Sequence, residues 1–281
     1  MGIGGDLMWT SLAYEIYKKH NKKVIFYRNE KINGKYQKTI LKLHVFCNNP
    51  YISFNPEKDN IEIDLNFRIM PEMLDGLKNL WKDQHIIKSR CEYFNYYNTQ
   101  IKCHLYPTKD ENKIINNILK KLPKNFIIIE PNAKKDWRCH KQYPLDKWQN
   151  IVNKIVKKIP IVQMSIPTPD NKILDNVINI SHDIKNFRQA CFILKYSELF
   201  VSTEGGLMHG CNAVDSKSLI IYPPFYNINL TKYNNTEIIS LKTESHKICN
   251  KFGRCKRCLR IINLHDENII INKIINLLKL N

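Results

Sequence analysis

The sequence predicts an α/β protein of two domains, and three observations lead there. At 281 residues the chain is too long for one small core and fits two domains of ordinary size. From Phe126 to Tyr222, short apolar runs alternate with segments of helical period, the signature of a doubly wound parallel sheet. Within that half, Leu199-Phe200-Val201-Ser202-Thr203 runs into Glu204-Gly205-Gly206 and then into the helix-compatible Leu207 to Ala213. That is a strand, a tight turn and a helix start.

This corner carries chemistry. Gly205 and Gly206 remove the Cβ atoms that would keep a ligand from the backbone, and the helix behind them points unpaired N–H groups and a positive dipole end into the same space. Such a place suits a diphosphate. Ser202 and Thr203 close the strand beside it, Glu204 is placed to accept from a ribose or sugar hydroxyl, and His209 stands about one turn into the helix, within reach of phosphates. Plain turn chemistry is the competing reading of two glycines after a strand.

Taken in order, the chain opens on Gly2-Ile3-Gly4-Gly5-Asp6, with an amphipathic helix from Leu7 to Lys19. Gly4 and Gly5 again suggest close approach of backbone to ligand, and Asp6 reads either as a helix cap or as a general base at the lip of a cleft. Strands are expected at Val24 to Arg28, His44 to Cys47 and Ile61 to Leu65, with a helix at Pro71 to Lys82. The stretch Asp83 to Tyr106 carries Arg90, Tyr93, Tyr96, Tyr97 and His104; ordinary packing fits it better than a sugar-stacking surface. Thr108 caps a helix running to Lys121, with Glu111 at the capping-box position. Leu122-Pro123-Lys124 then marks the domain boundary, giving domains 1–122 and 123–281.

The second domain begins with a strand, Phe126 to Ile129, and a long polar loop from Glu130 that holds Lys134, Lys135, Arg138 and Lys141. A cationic loop at the C-terminal end of a strand is where an α/β sheet puts its ligand. A helix from Leu145 to Lys157, strands at Ile159 to Met164 and Val177 to Ile180, and a helix from Phe187 to Tyr196 lead to the glycine corner. A strand from Ser218 to Tyr222 ends in Pro223-Pro224-Phe225, and Asp266 to Leu280 forms a terminal helix.

Composition limits the partners. A formal charge of +18, from 44 Lys plus Arg against 26 Asp plus Glu, favours an anionic partner, although the lysines are spread along the chain and not gathered in one block. No run approaches 18 apolar residues, and no basic-then-apolar leader opens the sequence. With nine cysteines, an odd number, reduced thiols and a cytoplasmic location are expected. Cys249, Cys255 and Cys258, with His246 or His265, supply only one pair at two-residue spacing, so no structural zinc is expected, nor any other metal or cofactor.

Four segments in this order resemble the heptosyltransferase-like glycosyltransferases of glycosyltransferase family nine: the glycine-aspartate loop Gly2 to Met8, the loop Pro131 to Trp148, the Glu204-Gly205-Gly206-Leu207 turn with His209, and the cysteine-rich tail. The resemblance implies two Rossmann-like domains facing a cleft (the GT-B arrangement), an N-terminal acceptor domain and a C-terminal nucleotide-sugar domain. The family's first hydrophobic strand has no counterpart ahead of Gly2; either the first domain does without it or the start lies upstream. By the same resemblance Asp6 is the catalytic base. Lys141, aligned on Tyr143-Pro144 and Trp148, contacts the donor phosphates, with Lys134, Lys135 and Arg138 as helpers. The Pro223 to Phe225 loop borders the nucleotide base. The implied reaction is metal-independent, inverting transfer from a nucleotide-diphosphate sugar to a glycan or other hydroxyl-bearing acceptor. Two rival readings remain: a basic nucleic-acid-binding protein, and a degenerate homologue that binds nucleotide sugars without turnover.

Overall fold

The structure is a computed structural model that describes residues 2–65, 84–132, 141–165, 171–243 and 255–280. It divides into two compact units, Met1–Thr108 with Asn229–Tyr233, and Lys109–Ile228 with Asn234–Asn281. A boundary at Leu122 would fall inside the second unit.

The first unit opens with two helices where one was expected from Leu7: α1, Ile3–Leu7, and α2, Trp9–His20. Met8 separates them, its N–H bonding back to the Gly4 carbonyl, and the Thr10 hydroxyl donates to the Leu7 carbonyl at 2.7 Å. Asp6 therefore lies in α1, not in the first turn of the longer helix. Trp9, Leu12, Ala13 and Ile16 form the buried stripe of α2. Lys18, Lys19 and His20 crowd its last turn, where the dipole favours cations, and Asn21 ends it in the left-handed region at φ 52°.

Strand β1, Val24–Ile32, runs well past Arg28 and turns back into β2, Lys35–Ile40, an antiparallel partner that the sequence reading did not contain. Asn33 and Gly34 make the turn with φ of 50° and 80°, the positive pair that a two-residue hairpin requires. Only the first four residues of β1 are buried, and β3, Ile61–Asp64, pairs parallel with that end. The expected strand at His44 to Cys47 is instead a 3-10 turn, His44–Phe46. Asn48 in the left-handed region and Pro50 halt the run before a ladder can form. Helix α3, Ile86–Tyr93, is capped by His85, whose Nδ1 accepts from the Ile87 N–H at 3.1 Å. The expected helix at Pro71 to Lys82 lies outside the described residues.

In the second unit, α4 (Lys109–Leu119) precedes β4 (Ile127–Glu130), α5 (Leu145–Ile155), β5 (Ile161–Gln163) and β6 (Ile178–Asn179). Then come α6 (Phe187–Leu194), β7 (Leu199–Thr203), α7 (Gly206–Ala213) and β8 (Ser218–Tyr222). Strand β9 (Thr236–Ser240), α8 (Lys256–Leu264) and α9 (Asn268–Leu278) complete it. The six strands form one parallel sheet in the order β6-β5-β4-β7-β8-β9, the doubly wound order with its reversal between β4 and β7. Every residue of β7 and β8 is buried, as befits central parallel strands covered on both faces. Trp148, Ile151, Val152 and Ile155 of α5 and Ile270, Ile271 and Ile274 of α9 pack with Ile127, Ile129, Val201 and Leu219 of the sheet.

Helix α4 joins this unit through a buried ion pair. Arg188 of α6 donates from Nε and Nη2 to the two Glu111 carboxylate oxygens, each at 2.7 Å. Glu111, expected at a capping-box position, serves that pair.

Candidate functional site

In an open α/β sheet, ligands bind beyond the carboxyl ends of the strands, where the winding direction reverses. Here that point is the end of β4 and β7. Glu130 and Ser202 are register partners across it, and the Ser202 hydroxyl donates to the Glu130 carbonyl at 2.9 Å. Thr203 ends β7, the Glu204 N–H donates to the Ile221 carbonyl at 3.2 Å, and Gly205 is the extended residue ahead of α7, whose first residue is Gly206. The strand, turn and helix start read from the sequence are all present. At φ −175° Gly205 has ordinary extended backbone, and an added Cβ would meet only the Thr203 carbonyl at 3.8 Å. Neither strain nor crowding demands glycine there; its missing side chain keeps open space beside the backbone.

Lys141 meets this turn. Its ammonium is paired with the Glu204 carboxylate, and its Nζ lies 5.2 Å from the centroid of the Tyr226 ring. Glu204 is buried and Lys141 partly so. Lys141, Thr203 and Pro223 share the lining of one small depression. Two anchors hold the lysine. Gln142 Nε2 donates to the Pro131 carbonyl at 2.6 Å, tying the loop's end to its start. Tyr143 packs edge-on against Trp148, and its hydroxyl lies 3.0 Å from His265 Nδ1. The tyrosine, proline and tryptophan that flank the lysine in sequence are thus the wall that fixes it.

His209, the fourth residue of α7, is buried with its helix. At the next residue, Gly210, a Cβ would stand 2.3 Å from Cys191 Sγ on α6. That glycine is needed for the close packing of α6 on α7. Lys134, with Lys135 and Arg138, lies outside the described residues.

Two residues of this edge were missed in the sequence. Glu130 is partly buried at the end of β4, and burial pushes its carboxyl up to about 8, with the Ser202 hydroxyl pulling the other way. Its signal was available, since it follows three consecutive isoleucines at a strand end. Tyr226 follows Pro223-Pro224-Phe225 by one residue, but nothing in the sequence says that its ring faces Lys141.

The candidate base sits in the first unit. Asp6 lies in α1 with Gly4 buried and Gly5 half-buried beside it. Burial raises its carboxyl above the ordinary aspartate value, opposed by the charges of the amino terminus, Arg90 and Arg28. Arg90 of α3 is itself buried: Nη1 donates to the Gly5 carbonyl at 2.7 Å, and the guanidinium stacks 4.1 Å over the Trp9 ring. Desolvation lowers it to about 10, still a cation at neutral pH. Among the described residues no three His, Cys, Asp or Glu side chains gather to hold a metal, and no helix is long and apolar enough to cross a membrane. Cys258 is buried, Cys255 stands just ahead of α8 without a side-chain bond to it, and Cys249 lies outside the described residues.

The profile described as glycosyltransferase family 9 (heptosyltransferase) matches residues 79–259, more than half of the chain. The chain belongs to this family. Among solved structures, a family 9 glycosyltransferase from Veillonella parvula is similar with a TM-score of 0.64 at 10% identity, covering 99% of this chain and 95% of that one. The ADP-heptose LPS heptosyltransferase II of E. coli gives 0.61 at 10% identity, over 98% and 96%. TibC, an iron-containing dodecameric glycosyltransferase of enterotoxigenic E. coli, gives 0.63 at 11%, over 99% and 74%. At such identities the likeness is one of fold, and it extends over nearly the whole of this family 9 chain. A comparison with curated sequences gives no match.

Proposed function

We propose that this family 9 glycosyltransferase moves a sugar from a nucleotide-diphosphate sugar to an acceptor hydroxyl, with inversion and without a metal ion. One observation carries the donor half of the reading: Lys141, Glu204 and the first turn of α7 converge at the reversal point of the six-stranded sheet. A diphosphate there exchanges the Lys141–Glu204 pair for a lysine–phosphate contact and takes the N–H groups at the start of α7. The freed Glu204 carboxylate accepts from a ribose or sugar hydroxyl, and the Tyr226 ring and the Pro223 to Phe225 loop flank the base. Gly206 and His209 complete the phosphate-facing turn, and the open side of Gly205 admits the ligand.

In this reading Asp6 takes the proton of the acceptor hydroxyl as its oxygen attacks the anomeric carbon. The bond from that carbon to the diphosphate oxygen breaks in the same displacement, and its electrons leave with the diphosphate. Lys141 and the α7 dipole stabilise the departing charge. A single displacement from the opposite face inverts the anomeric centre. A raised carboxyl makes Asp6 a stronger proton acceptor once ionised, and transfer declines on the acid side as it protonates.

The test is a thermal-shift panel of ADP-, GDP-, UDP- and CDP-sugars, ADP-heptose included, with and without magnesium, since a ligand that prefers the folded state raises Tm. Stabilisation by one nucleotide series without magnesium, lost in Lys141→Ala, is the expected result. Silence across the panel together with salt-sensitive DNA or RNA binding would overturn the reading. With the donor in hand, Asp6→Asn is expected to abolish transfer and to leave donor affinity intact. Binding without transfer in the wild-type chain would identify a homologue that no longer turns over.

A further inference from the structure

We infer that the hollow between the C-terminal ends of α5 and α9 is a second anion site in this chain, where Lys154, Lys157, Lys158 and Lys279 hold a ligand that carries clustered phosphate groups. It stands apart from the donor reading and survives that reading's failure.

In a parallel sheet, the connections that enter the strands gather on the edge opposite the one where ligands bind. Helix α5 starts two residues after Tyr143, at the Lys141 end of the unit, and its 11 residues carry the chain about 16 Å towards the other edge. There Lys157 and Lys158 lead into β5, and the Pro160 carbonyl accepts from the Ile127 N–H at 3.1 Å, so β4 and β5 begin side by side. Helix α9 brings Lys279 to the same place. That residue ends the helix in the left-handed region at φ 51°, and the Leu280 N–H beyond it donates to the Ile275 carbonyl at 3.0 Å, which fixes the turn. The hollow so formed has a volume of about 710 Å³, enough for a small polyanion, and is lined by the four lysines and Leu280.

No acid among the described residues lines it. Nearby lysines do find carboxylates: Lys147 of α5 reaches Glu267 at 3.1 Å, and Lys273 of α9 reaches Glu237 at 2.7 Å. Lys154, Lys157 and Lys279 make no ion pair with any described residue. The two helix ends offer them about half a negative charge each, well short of four positive ones. On the same edge, exposed Lys124, Lys195 and Lys217 stand on the connections into β4, β7 and β8 and add to the field, against Glu198 and Asp215. All four lysines of the hollow are exposed, so solvent screens each contact and a lone phosphate gains little. Several phosphate groups on one ligand engage them together.

The experiment offers the full-length chain two probes at low and high salt: sodium tripolyphosphate, followed by calorimetry, and phosphatidylcholine vesicles with and without phosphatidylglycerol, followed by flotation. Binding of at least one is expected, weakening as salt rises. Lys157→Glu with Lys279→Glu should lower that affinity about tenfold or more. Lys31→Glu with Lys35→Glu makes the same change in net charge on the β1–β2 hairpin and should leave affinity within about twofold of wild type. Because tripolyphosphate also suits the donor corner, its titration is repeated in Lys141→Ala, where binding in the hollow should persist. Tripolyphosphate binding alone names a free ligand, and flotation that requires phosphatidylglycerol names a lipid headgroup; either supports the site. Silence of both probes overturns it, duplex DNA captured or not, and so does binding that the first pair leaves unchanged or that the hairpin pair weakens equally. Should the first pair not fold, Lys154→Glu with Lys158→Glu is read by the same rule.

Discussion

Two ion pairs in the second unit have opposite characters. Glu111 and Arg188 engage through two guanidinium nitrogens, Nε and Nη2, with the arginine side chain fully buried. Lys141 touches one oxygen of Glu204, keeps about a fifth of its side chain in solvent, and leans on an aromatic ring. The first pair is bidentate and dry, and it fastens α4 to α6. The second is a point charge at a sheet edge, with a partner that a better anion can replace. On the proposed reading, burial and the number of hydrogen bonds distinguish the structural pair from the binding one more sharply than distance does.

The largest effect should come from breaking the dry pair. Arg188→Met leaves the Glu111 carboxylate buried without its partner, which costs about 3 kcal/mol or more. In a chain of this size that lowers Tm by roughly 10 °C. A fall no greater than that of Lys141→Ala would erase the distinction. Next comes the packing between α6 and α7: Gly210→Ala drives a methyl into Cys191 Sγ and should cost about 1–3 kcal/mol. Combining it with Cys191→Ala should return much of the loss, and a double-mutant cycle in urea measures the coupling.

Glu130 gives a smaller effect that depends on pH. Its folded value of about 8 stands above the ordinary 4.5, so the native state keeps a proton that the unfolded chain gives up. Stability from this group is whole below about pH 4.5, falls as pH rises towards about 8, and is level beyond. Glu130→Gln should remove that slope, matching wild type near pH 4 and exceeding it by about 1 kcal/mol or more at pH 9 in denaturant titrations. Smallest on stability is Lys141→Ala, with Tm within about 2 °C of wild type. Its donor affinity should nevertheless fall roughly ten- to a hundredfold, the value of a charge-assisted phosphate contact. Reversing those two readouts would make Lys141 structural and Arg188 functional.

Much of the fold could be read in the chain because it is written locally. The apolar runs of β4, β7 and β8, and the turn Glu204-Gly205-Gly206, need only their own residues to declare a parallel sheet and its ligand edge. Pairings across the sequence could not be read. That Lys141 meets Glu204 depends on where Tyr143 and Trp148 anchor a loop, and that Arg90 reaches Gly5 depends on packing between α3 and α1. The β1–β2 hairpin is legible only at its turn: the Asn33-Gly34 pair announces it, but polar residues from Arg28 onward present no apolar face from which a strand can be read. The strand expected at His44 failed for the reverse reason, since two buried apolar side chains fit a tight turn as well as a ladder.

The Asn33-Gly34 turn has a practical use. Its backbone has no heavy atom within 4 Å of where a Gly34 side chain would begin, and Tyr36 beyond it is three-quarters exposed. Lys35 and Lys38 stud the edge strand, discouraging another chain from adding to it. At φ 80° Gly34 itself stays glycine, so a cysteine for a fluorophore belongs at the exposed Tyr36, and a short affinity tag or the new ends of a circularly permuted chain can be placed beside the turn. The hairpin is a handle by which the molecule can be labelled and immobilised while both of its units remain intact.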